Sequence, residues 1–227
     1  MKHLHIIALV ITLLLNISVA GNNYMVHRLN TQSQLPVANI HTVYQSADGY
    51  MWYGTRGGGL CRDNGYQVNV FRPSIISGLP ESNDVNCITE NAAGMSGNKT
   101  ESCNIWFGTD AGLFRLDSKT LNMSMPLNIR GHVYALFRDH KQRLWIGTDN
   151  SVYMLSSNGK KIWMVYHSIR KRNMNQFYED SQNRFFALFS GELMQLDTKT
   201  MRLRHVRLSE SIDPVSMVES SDGKGYW

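Results

Sequence analysis

The sequence is poor in the residues that build catalytic, metal-binding and disulfide-rich proteins. Its 227 residues include only three cysteines, which are too few for a disulfide framework and, being odd in number, leave at least one thiol free. No Cys-x-x-Cys pair and no His-Glu-x-x-His motif is present, so the common zinc sites are not expected. Nucleophile-elbow and phosphate-loop motifs are also missing. The sequence therefore predicts no catalytic residue, no metal and no cofactor.

Long apolar runs are missing too, apart from a short one near the start. Residues 1–20 combine a basic start at Lys2, an apolar run from Ile6 to Leu15 and a small-residue cleavage site that ends at Ala20. This layout is typical of a secretory signal peptide. The run is shorter than the ~20 residues of a membrane-spanning helix. We predict cleavage near Ala20, an exported mature chain of residues 21–227, and no membrane span.

The net charge of the chain excludes few kinds of binding partner by itself. Lys and Arg outnumber Asp and Glu by 23 to 18, which gives a net charge of +5. A basic balance can indicate nucleic-acid binding, but an exported protein rarely meets nucleic acid. Acidic glycans or an ordinary solvated surface remain as explanations, and no nucleic-acid partner is predicted.

What the sequence does contain is a repeated phrase. Trp, Gly and Thr recur at fixed spacing in three segments: Trp52-Tyr53-Gly54-Thr55, Trp106-Phe107-Gly108-Thr109 and Trp145-Ile146-Gly147-Thr148. Phe186 holds the position of Trp in a fourth unit, and Trp227 holds it in a fifth. The period is about 40 residues, lengthened once by an insertion before Asn104, and such periods are typical of blade arrays.

Each unit opens on a short alternating strand, aligned at Ile40, Val85, Val133 and Val215. A polar turn, the Trp strand, a Gly-bearing turn and two further strands follow, which is the anatomy of a propeller blade. We predict an all-β, β-propeller fold of about four and a half four-stranded blades. The units span about residues 24–71, 72–125, 126–166, 167–207 and 208–227. In this arrangement Trp packs on the next blade, Gly leaves room for it, and Thr closes the strand end.

The residues that recur at equivalent positions of the units resemble the two-component regulator propeller repeat. The resemblance rests on the stretch 35–40, Asp48-Gly49, Trp52-Tyr53-Gly54-Thr55, Asp63-Asn64-Gly65 and Gly78-Leu79-Pro80, and it covers residues 24–227. It implies the periplasmic sensor part of a Bacteroidetes hybrid two-component histidine kinase, a family that recognises oligosaccharides and whose propellers typically have seven blades. This chain has no kinase segment, so it is predicted to be a non-enzymatic, truncated sensor. Self-association through an open blade edge is a further expectation.

A varied polar residue follows Thr in three units: Arg56, Asp110 and Asp149. These side chains either line one face and contact a sugar, or only serve the turn.

Cys87 and Cys103 flank the insertion and are a possible disulfide pair, whereas the scattered His132, His140 and His167 are not expected to act together. Two other functions stay open: a fragment of a propeller-type carbohydrate-active enzyme, and a non-functional remnant of a regulator gene.

Overall fold

In the computed structural model the chain is described over residues 34–73, 78, 81–91, 104–208, 214–223 and 225–227. The predicted signal peptide, the strand expected at residues 24–29 and Cys103 lie outside these ranges. Within them the chain forms sixteen strands and no α-helix. The described part therefore contains no helix with the length and apolar character of a membrane span.

The strands fall into four sheets in chain order. The first contains β1 (Ile40–Gln45), β2 (Met51–Thr55), β3 (Gly59–Asp63) and β4 (Val68–Phe71). The second contains β5 (Val85–Asn91), β6 (Asn104–Thr109), β7 (Leu113–Asp117) and β8 (Met123–Ser124). The third contains β9 (Val133–Arg138), β10 (Leu144–Thr148), β11 (Ser151–Leu155) and β12 (Ile162–His167). The fourth contains β13 (Met174–Glu179), β14 (Phe185–Phe189), β15 (Glu192–Asp197) and β16 (Arg202–His205).

Every sheet is an antiparallel meander in which each strand pairs with the next one along the chain. The first strands β1, β5, β9 and β13 pack one against the next, so they line the inner side of the array. The last strands, β4, β8, β12 and β16, form the outer edges. The predicted all-β propeller fold with four-stranded units is confirmed.

Strands begin at Ile40, Val85 and Val133 as predicted. The strand predicted at Val215 is wrong. Val215 is 69% exposed and has no antiparallel partner among the described residues, and pairing in this segment begins only at Val218, beside a bridge between Glu219 and Tyr226. Trp227, which pairs through its backbone with Val218, is 83% exposed.

The core consists of apolar clusters between neighbouring blades. Trp52 packs with residues of the second blade such as Val85, and Trp106 packs with residues of the third such as Val133. Trp145 packs with residues of the fourth blade. Phe186 holds the position equivalent to Trp145 in the fourth blade, and it packs with Met217. A buried aromatic side chain of this kind contributes at most about 4–6 kcal/mol of hydrophobic stabilisation. Each of these interfaces thus contains one large aromatic side chain at the same position of the repeat, within a wider apolar cluster.

The glycine after each Trp gives the next blade room to approach. A Cβ built on Gly54 would lie 2.8 Å from Val85 Cγ1 and 2.9 Å from Val85 O, both in the second blade. On Gly108 it would lie 2.5 Å from Val133 Cγ1 in the third blade. Thr then closes the turn, since Thr55 Oγ1 donates to Gly59 O at 2.7 Å. Similar bonds form from Thr109 and Thr148.

Gly54→Ala is expected to lower the free energy of unfolding by about 1–3 kcal/mol, because the added methyl group must displace the backbone of the next blade. Gly225→Ala is a matched control, since its Cβ would meet only Ser220 Oγ at 3.9 Å. Urea denaturation of both variants measures the difference. Equal unfolding midpoints would show that the blades are not in close contact at Gly54.

A second kind of contact joins the blades at the turn after each first strand. Glu90 accepts from the N–H of Ala47 at 2.9 Å, Glu179 from that of His140 at 2.7 Å, and Glu219 from that of Ser181 at 2.9 Å. In the third blade the equivalent residue is Arg138, which donates instead to Glu90 O at 2.6 Å. The third blade thus lacks this carboxylate, and it is the blade that follows the unit whose sequence carries the insertion.

Candidate functional site

A β-bulge recurs at the start of the first strand of every blade. The register shifts between Ile40 and Thr42, between Val85 and Cys87, and between Met174 and Gln176, and the pairing of β10 with β9 shifts in the same way around Tyr134. A bulge re-aims the extra residue and is frequent next to binding sites. The four bulged residues are His41, Asn86, Tyr134 and Asn175.

The bulges lie at the end of the blades that also carries the turns between second and third strands, because the start of each first strand pairs with the end of the second. Arg56, Asp110 and Asp149 are the first residues of those turns. The bulges and the turns after the second strands thus place polar residues at the same end of the blades, which we call the rim.

At the junction of the second and third blades these residues meet. Asn86 Nδ2 donates to Asp110 Oδ1 at 2.8 Å, and His132 Nε2 lies 3.1 Å from both of these atoms. The His132 ring stacks on Tyr134 with a centroid separation of 3.9 Å and an interplanar angle of 10°. The side chains of Asp110 and His132 are 43% and 33% exposed, so solvent and solutes reach them.

The cluster continues into the third and fourth blades. Lys171 Nζ lies 2.8 Å from Asp149 Oδ2, and this ion pair raises the pKa of the Lys171 ammonium. Burial, followed by the charges of Asp149 and Asp110, raises the pKa of the Tyr134 hydroxyl, which therefore stays neutral at physiological pH. We call Asn86, Asp110, His132, Tyr134, Asp149 and Lys171 the rim cluster.

Asp110 and Asp149 are thus brought around Tyr134, but Arg56 is not joined to them. Its side chain is exposed in the first blade, and its backbone N–H donates to Asn39 O at 3.0 Å. No hydrogen bond or ion pair in the described part of the chain connects Arg56 with the rim cluster.

The sequence pattern does not predict Asn86, His132, Tyr134 and Lys171 as site residues, and His132 is only one of several scattered histidines in it. One signal was present: the residue after the aligned first-strand position is His41, Asn86 or Tyr134, and each can hydrogen-bond. An apolar residue would be expected there if the position only filled the core.

Cys87 is a free, half-buried thiol whose Sγ donates to Val133 O at 3.8 Å, and burial raises its pKa to about 12. Its suggested disulfide partner, Cys103, lies outside the described residues. Nor do the described residues bring three His, Cys, Asp or Glu side chains together as a metal site. The rim cluster instead offers hydrogen-bond donors, acceptors and an aromatic face.

Comparisons with known proteins agree with the fold. Residues 129–150, which include the third Trp-x-Gly-Thr phrase, match the family model described as the two-component regulator propeller. No curated protein sequence matches the chain.

Among solved structures, two of the extracellular domain of one B. thetaiotaomicron protein resemble the chain. They are described as a one-component and as a hybrid two-component system, with TM-scores of 0.63 and 0.62 and identities of 15% and 14%. Each alignment covers 88% of this chain but 26% of that protein, so the chain spans about a quarter of its length. An auxiliary nutrient binding protein from Bacteroides thetaiotaomicron is also similar, with a TM-score of 0.52, 12% identity, and coverage of 82% of this chain and 50% of that one.

At these identities the structural likenesses establish the fold, and the sequence match identifies the repeat. The chain is an all-β array of propeller blades, and its residues 129–150 are similar to the two-component regulator propeller.

Proposed function

We propose that the chain is the ligand-binding propeller part of an extracytoplasmic sensor in a two-component signalling system, and that it binds an oligosaccharide without catalysis of its own. The observation that carries the proposal is the rim cluster. It combines neutral hydrogen-bonding groups, paired charges and a partly exposed aromatic pair at a junction of blades. Sugar hydroxyls both donate and accept hydrogen bonds, and sugar C–H faces pack on aromatic rings.

The absence of catalysis is supported by how the two carboxylates are held. Glycoside hydrolysis needs one carboxylic acid and one carboxylate that face the same glycosidic bond. Here Asp110 Oδ1 already accepts from Asn86, and Asp149 Oδ2 is paired with Lys171. Both groups therefore act in this proposal as fixed acceptors that orient their neighbours.

Export belongs to the same proposal. The layout of residues 1–20 is that of a signal peptide, and the similar solved structures are described as extracellular domains. A periplasmic propeller would meet oligosaccharides before they enter the cytoplasm, which suits a sensor.

Asn86→Ala is expected to weaken oligosaccharide binding about tenfold, because it removes a donor at the centre of the rim cluster and leaves Asp110 and His132 unoriented. Calorimetric titration with a panel of oligosaccharides from plant, host and microbial polysaccharides measures the dissociation constant. Asn175→Ala is the matched control. Asn175 holds the same bulge position in the fourth blade, where it donates to Pro214 O at 2.9 Å and not to the rim cluster.

If the dissociation constant of Asn175→Ala stays within about twofold of that of the original chain, the result supports a site at the second and third blades. Thermal melting shows that each variant is folded. Failure of every oligosaccharide to bind, or equal losses in the two variants, would contradict the proposal. Release of reducing sugar from any polysaccharide would contradict its non-catalytic part.

A further inference from the structure

One outer strand of the array differs from the other three. β4 has four residues, β8 has two, and β16 exposes Arg202, Arg204 and His205. Short or charged edges of this kind hinder pairing with another chain. β12 has six residues, Ile162–His167, and no Asp, Glu, Lys or Arg among them. Trp163 is 45% exposed and Met164 is 58% exposed on this unprotected edge.

A groove runs beside β12, between the third and fourth blades. Two adjoining cavities of about 430 Å³ and 350 Å³ share Met164, Val165 and Arg202 as lining residues. Val165, Met201 and Leu203 also pack on the buried cluster between these blades, so the apolar floor belongs to the folded core. The groove is therefore a fixed feature of the blade interface, with Trp163 at one end and His167 at the other.

The charged residue that lines both cavities is basic, although Asp197, its cross-strand neighbour, pairs with Arg204 nearby. Arg202 lines both cavities, and the exposed Lys160 and Lys161 directly precede β12. None of the residues that line either cavity, all within the described part of the chain, is acidic. Such a surface attracts a ligand that combines carboxylates with apolar side chains.

From this geometry we propose that β12 and its groove bind an extended segment of a partner protein, rich in apolar and acidic residues, as a fifth strand of the third sheet. Among the described strands only β11 pairs with β12, so the other edge of β12 supplies the ladder of hydrogen bonds, and alternate side chains of the segment enter the groove. A second copy of this chain fits poorly. Antiparallel pairing of two β12 strands would bring Lys160 and Lys161 close to Arg170 of the other copy, and parallel pairing would place the lysines side by side.

Fluorescence anisotropy with three labelled peptides tests the proposal. The first alternates valine and threonine between terminal glutamates, the second has terminal lysines, and the third is the glutamate peptide with its valine amides N-methylated. The glutamate peptide is expected to bind at least about tenfold more tightly than either of the others. The lysine peptide differs from the glutamate peptide in charge, so weaker binding of it shows that charge contributes. The N-methylated peptide lacks the N–H donors, so weaker binding of it shows that backbone hydrogen bonds contribute.

Arg202→Glu is expected to weaken binding of the glutamate peptide at least about fivefold. Arg207→Glu, an exposed change of the same charge outside the groove, is the matched control. The proposal is overturned if the glutamate peptide fails to bind, if the three peptides bind equally, or if the two variants behave alike. A concentration-dependent dimer in sedimentation that Met164→Glu abolishes would assign the edge to a second copy and overturn it as well.

Discussion

Trp145→Ala is expected to lower the free energy of unfolding by about 3–5 kcal/mol. Trp145 is fully buried, and its ring stacks on Phe185 of the next blade at a centroid separation of 4.1 Å. The substitution leaves a cavity between two sheets that cannot collapse without moving a whole blade. It also removes the indole N–H that donates to Asp139 Oδ2 at 2.9 Å, and Asp139 is 1% exposed. The lost packing and the weakened support of a buried carboxylate act in the same direction.

Trp163→Ala is the matched control, because Trp163 is 45% exposed on the outer strand β12. It is expected to cost less than about 1.5 kcal/mol, since nearly half of the side chain stays in water in the folded state and its removal leaves no enclosed cavity. Urea denaturation followed by far-ultraviolet circular dichroism measures both. If the two substitutions cost the same, the buried tryptophan does not hold neighbouring blades together.

The repeat explains why the blade core was predictable from the sequence. Trp, Gly and Thr recur in register because every blade packs on the next one in the same way. Trp52, Trp106 and Trp145 face the next blade, and the glycines lie where that blade approaches. Period-two alternation located the first strands at Ile40, Val85 and Val133, because successive residues of a strand face opposite sides of the sheet.

The rim cluster was predictable only in part. Asp110 and Asp149 were found because they follow Thr in a repeated phrase. Their electrostatic influence on Tyr134 depends on how one blade is set against the next and on a bulge that turns a side chain out of the strand pattern. Period-two reasoning assigns every strand residue to one of two faces, so it does not anticipate a residue that leaves the ladder.

Phe186 shows a second limit of sequence reasoning. It replaces Trp with no loss of burial, at 5% exposure, but it has no N–H for the buried turn carboxylate, which here is Asp180. That role passes to the following segment, where the Tyr226 hydroxyl donates to Asp180 Oδ2 at 2.6 Å. Arg184 Nε also donates to Asp180 Oδ2, at 2.5 Å. The compensation crosses blades and lies 46 residues away in sequence.

Asp180→Asn is expected to cost about 2–3 kcal/mol at pH 7, because a neutral amide cannot replace a buried carboxylate that accepts several hydrogen bonds, one of them from an arginine. Burial raises the pKa of Asp180, but the hydrogen bonds from Tyr226 and Arg184 and the charge of Arg184 outweigh it, so the pKa is lowered. A carboxyl whose folded-state pKa is depressed stabilises the fold above its unfolded pKa of about 3.9, and this contribution is lost as the pH falls below that value.

The difference in stability between the original chain and Asp180→Asn should therefore be constant between about pH 5 and pH 7 and shrink below about pH 4. Urea midpoints measured at intervals from neutral to acidic pH give this profile. Glu81→Gln, at an exposed carboxylate, serves as control and should leave both the neutral-pH midpoint and the profile close to the original. A difference between the original chain and Asp180→Asn that persists unchanged into acid would mean that the charge on Asp180 does not stabilise the contact between the fourth blade and Tyr226.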